Sequence, residues 1–151
     1  MSTRSTTHFT YGKDVEAIVY RHSDGYPNGH GKDLLAFFIE VAESTQDTRF
    51  GDPSYLAAKL VVWLAKQYAR HYDYDGTGKG SWVDSNYLDF LSVGVVQSDP
   101  GDIDYRYIVD SSQMVNGRPK VTIQNRYGDP VSAGPEDAAV IGELAGDKVP
   151  A

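Results

Sequence analysis

The sequence predicts an α+β fold: a single antiparallel β-sheet with two α-helices packed on one face, in the order ββααβββ. Three observations carry this. Runs rich in β-branched and aromatic residues stand near both ends of the chain, two long stretches with apolar residues at helical spacing lie consecutively between them, and 151 residues at 40% hydrophobic content suffice for one compact core. Helices bunched between runs of antiparallel strands define α+β architecture.

Residues 6–11 and 16–22 read as an opening β-hairpin turned by Gly12-Lys13-Asp14. Residues 32–44 place Leu34, Leu35, Phe37, Phe38, Val41 and Ala42 on one helical stripe that must face a core. A second helix starts at Asp52-Pro53 or Pro53-Ser54, where proline suits the first helical position. It runs to about His71, with Leu56, Leu60, Trp63, Leu64 and Tyr68 on one side. The glycine-rich residues 73–81 end it. Residues 87–97 and 103–109 read as strands joined by the hairpin connection Ser98-Asp99-Pro100-Gly101-Asp102. Residues 120–126 alternate as a further strand. The predicted organisation is one domain over residues 1–127. An acidic tail rich in Gly, Ala and Pro follows at 128–151, expected to be mobile or held by a partner. Were the tail to dock instead, Val140, Ile141 and Leu144 would do so as a short helix.

Several function classes drop out on composition. A net charge of −7 argues against general nucleic-acid binding, which draws its affinity from clustered Lys and Arg. The absence of cysteine removes disulfides, thiolate nucleophiles and Cys-based zinc sites. Neither a bilayer-spanning run nor a secretory signal is visible, so a soluble, cytoplasmic protein without membrane attachment is expected. His8, His22, His30 and His71 form no metal-binding spacing, and no metal or other cofactor is expected. Asp73-Tyr74-Asp75-Gly76 begins like a calcium loop, but its glycine comes too early and no glutamate closes the frame. Gly25 to Lys32 misses the P-loop spacing by one residue and has Asp33 where Ser or Thr would hold magnesium.

The functional signal concentrates in IVYRHSDGYPNGHGKDLLAFF, residues 18–38. Asp24-Gly25, Pro27, Gly29 and Gly31 suit a tight turn, and Asp33 suits the start of a helix. Arg21 offers a planar fork for carboxylate or phosphate, His22 can donate or accept, and Tyr26 can stack. A helix N-terminus beyond them presents free N–H groups to an anion. The candidate ligand-binding set is therefore Arg21, His22, Asp24, Tyr26, His30, Lys32 and Arg49, with the strand tyrosines Tyr20, Tyr105 and Tyr107 as further surface. A purely structural alternative pairs Arg21 with Asp24 across the turn.

Thr3-Arg4-Ser5, Tyr20-Arg21-His22-Ser23-Asp24-Gly25-Tyr26-Pro27, Thr48-Arg49-Phe50 and Tyr55-Leu56-Ala57-Ala58 carry a resemblance. Together they resemble a set of small, uncharacterised bacterial and bacteriophage proteins that open with Thr-Arg-Ser or Thr-Arg-Ala and carry Tyr-Arg-His-x-Asp-Gly-Tyr-Pro. The resemblance spans about the first sixty residues and implies a phage or bacterial setting, without a mechanism.

These observations lead to a non-catalytic module for a small anionic ligand, with sequestration of a nucleotide-derived defence signal as its use in a phage. The alternative is an accessory protein that inhibits a host protein through its acidic surface. A hydrolase with His22 as general base oriented by Asp24 is the third reading, and no catalytic residue is assigned. A homo-oligomer is compatible with the free sheet face that this fold leaves.

Overall fold

The computed structural model describes residues 2–71, 91–131 and 134–147. The chain is α+β, with one mixed five-stranded sheet and three helices among the described residues. The strands are β1 (Ser5–Tyr11), β2 (Asp14–Arg21), β3 (Val93–Val96), β4 (Tyr105–Val115) and β5 (Arg118–Asn125). The helices are α1 (Lys32–Ser44), α2 (Pro53–His71) and α3 (Pro135–Ala145), with a wide π-type turn at Pro27–Gly31 leading into α1. No helix among the described residues is long and apolar enough to cross a membrane.

The two predicted helices pack on one sheet face. Strand alternation turns Phe9, Val19, Tyr107, Val109, Val121 and Ile123 toward them, and the helices answer with Leu34, Phe37, Phe38, Val41, Leu56, Leu60, Trp63 and Leu64. Trp63 meets Phe37 edge to face at 6.0 Å, and its indole N–H donates to Glu40, so this large ring has both its apolar and its polar needs met.

The sheet departs from the antiparallel expectation at its centre. Its order is β3-β2-β1-β4-β5, and β1 runs parallel to β4 with Ser5 opposite Tyr105 and Phe9 opposite Val109. The residues expected to join β3 and β4 as a hairpin make a crossover instead. Both strands run parallel to β1 but are separated by β2 and β1, so the chain leaving β3 must return across the sheet to begin β4. It does so over the face opposite the helices. Asp99 accepts from Arg106 Nε at 2.6 Å and lies 3.6 Å from His8 Nε2, while Ile103 is buried. Residues 97–104 thus form a strap that meets His8 and Arg106 on that face. The predicted glycine-rich loop at 73–81, and residues 87–90 of the predicted third strand, lie outside the described residues.

The tail also differs from its expectation over its described part. Pro135 opens α3, Glu136 and Asp137 occupy its first turn, and Gly146 closes it at φ 89°, the left-handed conformation that glycine tolerates. Val140 and Leu144, one turn apart, enter the same core as α1 and α2. Arg118 of β5 donates to the carbonyls of Leu144 and Glu143, satisfying groups that the end of a helix leaves open. Composition hid this element because the Gly, Pro and acidic residues of the tail dominate its average, whereas Val140 and Leu144 share one face of the helix.

Candidate functional site

The turn at residues 21–32 is built from buried contacts. The Arg21 side chain is only 8% exposed; its NH1 donates to Asp33 Oδ2 at 2.6 Å and to His30 Nδ1 at 3.1 Å. With Nδ1 accepting from a guanidinium, the His30 proton sits on Nε2, where it donates to Thr7 Oγ1 at 2.7 Å. The His30 ring lies edge-on to Tyr107 at 4.7 Å, and Tyr107 Oη donates to the Gly25 carbonyl at 2.7 Å. Burial, with the Arg21 charge beside it, holds His30 well below the usual imidazole value, so the ring is neutral at pH 7. Burial likewise pushes the Tyr107 phenol far above its ordinary range.

Arg21 therefore pairs with Asp33 rather than Asp24. Asp24 is exposed at φ 58°, and its carbonyl accepts the His30 backbone N–H at 2.7 Å. Two of the glycines are demanded by close packing: a Cβ at Gly29 would lie 2.5 Å from the Asp24 carbonyl oxygen, and one at Gly31 would lie 2.8 Å from Val140 Cγ1. Helix α3 covers the turn from outside, with Asp137 accepting the Asn28 backbone N–H at 2.9 Å. Tyr26 and Lys32 are exposed. Arg49 lies between α1 and α2, within ion-pair distance of Asp47 (2.9 Å) and Asp52 (3.6 Å), with its guanidinium 4.7 Å from the Tyr55 ring centre. The structure brings Arg21, His30 and Asp33 together and does not gather the seven candidates around one pocket.

One of the seven, His22, lines a cleft of about 790 Å³ at the end of the sheet where β1 and β4 begin and β2 and β5 finish. Tyr20 Oη meets His22 Nδ1 at 2.9 Å, so the partner that orients this imidazole is a phenol and not Asp24. Arg4 and Arg126 enter the cleft from opposite ends of the sequence. Arg4 NH1 lies 2.5 Å from Asp102, a carboxylate 79% exposed. Arg126 NH2 lies 3.0 Å from Asp104 Oδ1, and the other oxygen of Asp104 accepts the Arg4 backbone N–H at 3.0 Å. Asp104 thus ties the strap to β1 and to the turn after β5, whereas Asp102 holds only an exposed partner. Tyr105, Val131 and Tyr127 supply the cleft with apolar surface.

Two of the four segments that carried the resemblance meet beside this cleft. Gly25 N–H donates to the Thr3 carbonyl at 2.9 Å, and a Cβ on Gly25 would lie 2.8 Å from Ser5 Cβ, so Thr3-Arg4-Ser5 and the Tyr20 to Pro27 motif form one contact surface. Among the described residues no group of three or more His, Asp or Glu side chains is placed to hold a metal ion. Comparison with protein-family models, with curated proteins and with solved structures finds no match in any of the three.

Proposed function

We propose that this protein is a non-catalytic binding module that takes a small anionic ligand in the cleft between Arg4 and Arg126. The supporting observation is the convergence of two guanidiniums on one cavity, of which Arg4 is held by an exposed ion pair that a stronger anion can replace. Exposed pairs of this kind contribute roughly 0 to 1 kcal/mol, so exchanging Asp102 for a ligand phosphate or carboxylate costs little. A planar guanidinium can meet such a group with two parallel N–H bonds. His22 stands beside them as a further donor.

A binding role is favoured over hydrolysis because the hydrolytic reading requires Asp24 to orient His22, and the partner present is Tyr20. In the phage setting that the resemblance implies, the module would sequester a nucleotide-derived defence signal. The test is isothermal titration of phosphate, sugar phosphates and nucleotides into the full chain, repeated with Arg126→Ala. Binding of one class that Arg126→Ala abolishes, at an unchanged unfolding midpoint, is the expected result. Absence of binding across the set would reject the reading and leave the acidic interaction module.

A further inference from the structure

We infer that the ligand carries an aromatic ring as well as its anionic group, a mononucleotide being the class that fits, and that Tyr127 is the platform on which the ring stacks. This inference rests on the cleft being a ligand site. Tyr127 is 80% exposed, more than any other large apolar or aromatic side chain among the described residues. Its backbone is nevertheless fixed. Asn125 Oδ1 accepts the N–H groups of Tyr127 at 2.9 Å and Asp129 at 3.1 Å, the Asn125 carbonyl accepts from Gly128 at 3.0 Å, and Asn125 N–H donates to Asp129 at 2.9 Å. Gln124 pairs with Pro130 to close the turn.

The fold therefore holds an aromatic ring in water on a rigid support without using the ring for its own packing. A tyrosine anchored on a fixed backbone turn presents a flat apolar face with only two side-chain torsions to settle, which suits a stacking partner. Arg126 is the adjacent residue, and Arg4 stands on the same cleft, so one ligand can meet the guanidiniums with its anion and Tyr127 with its ring. Size separates the ligand classes further. A cavity of about 790 Å³ lies in the range that encloses molecules of nucleotide dimensions. Inorganic phosphate would occupy only the arginines and leave the exposed Tyr127 ring without a partner. A nucleobase has the flat π-face that every base offers to an aromatic side chain, and such stacking is tolerant of base identity.

The test titrates the four ribonucleoside 5′-monophosphates and ribose 5-phosphate into the wild-type chain, Tyr127→Ala and Tyr127→Phe. At least one monophosphate is expected to bind the wild type about tenfold or more tighter than ribose 5-phosphate. Tyr127→Ala should erase that advantage without changing ribose 5-phosphate binding, and Tyr127→Phe should keep it. The exposed position of Tyr127 leaves the folded state intact in both variants, which an unchanged unfolding midpoint verifies. Equal binding of ribose 5-phosphate and all four monophosphates, or an advantage that survives Tyr127→Ala, overturns the stacking role while the anion site stands. If neither ligand type binds the wild type, both the stacking role and the anion site fall.

Discussion

The turn at residues 21–32 and the cleft at the end of the sheet contain the same kinds of side chain, arginine, histidine, tyrosine and aspartate, and deploy them in opposite ways. In the turn, the buried Arg21, His30 and Thr7 are bonded to one another and to the half-buried Asp33, and Tyr107 closes over Gly25. In the cleft, Arg4, Arg126, Asp102 and Tyr127 stand in water with weak or no mutual commitments. Residue type is therefore a poor guide to a site. What distinguishes the two regions is whether a polar group already has a partner that the fold cannot give up.

The comparison breaks first at the turn's outer cover. Truncation before Gly134 removes the burial of Val140 and Leu144 and should cost roughly 3 to 6 kcal/mol in denaturant unfolding, at about 1.5 to 3 per buried side chain. A loss under about 1 kcal/mol would show that the turn stands without α3. Next in size is Arg21→Ala, which strips Asp33 and His30 of their shared donor and should cost about 3 kcal/mol. A double-mutant cycle should couple Arg21 to Asp33 and find Arg21 and Asp24 additive. Coupling to Asp24 instead would contradict the geometry.

Acid titration sharpens the same contrast. His30 and His8 both have folded pKa values below the ordinary 6.5, chiefly through burial, so the unfolded state takes up their protons first as pH falls. Stability should be full above pH 6.5 and decline below it, by up to about 1.4 kcal/mol per pH unit for each histidine. Asp99 and Asp110 are held below the usual carboxylate value although burial works against this: the Gly101 N–H and Arg106 stabilise the first, and Ser112 and Gly12 the second. Their contribution is lost only as pH falls below about 4, so the window from pH 6.5 to 5 reports the histidines. A flat profile there, or one that His30→Gln leaves unchanged, would remove His30 from the account. The smallest effect belongs to the cleft: Arg4→Ala and Arg126→Ala should each shift stability by less than about 1 kcal/mol while abolishing ligand binding. A large stability loss from either would make the cleft arginines structural as well.

Much of this fold is legible in the residue pattern. The stripe through Leu34, Phe38 and Val41 marks α1 from residue 32 to 44, and the Leu56 to Leu64 pattern marks α2, because helical periodicity is a local property of the chain. The pairing of β1 with β4 is not local. Asp99-Pro100-Gly101 has the composition of a hairpin turn, yet whether the strands on either side pair is decided by what else the sheet holds. Helix α3 did leave a local trace in Pro135, the Val140 and Leu144 pair and Gly146, which an average over the whole tail conceals. The candidate site was the least legible. Arg4 and Arg126 carry no motif, and only the strand register brings them to one cavity, while in the conspicuous Arg21 to Lys32 cluster Arg21 and His30 are committed to buried partners.

The parallel contact between β1 and β4 sets a timetable for the chain. Strand β1 is complete near residue 11, but its second neighbour pairs Tyr105 with Ser5, so a central strand waits for about 100 residues. At synthesis rates of about 5 to 20 residues per second, that wait lasts roughly 5 to 20 s. Throughout it, Ser5 to Thr10 present an open row of backbone donors and acceptors on the side that β4 will occupy, with Phe9 beside them. An unpaired edge of this kind is a template for other strands. The nascent protein is thus most exposed to misassembly at its beginning, and its yield in the cell should depend on how quickly, and in what company, residues 105–110 arrive.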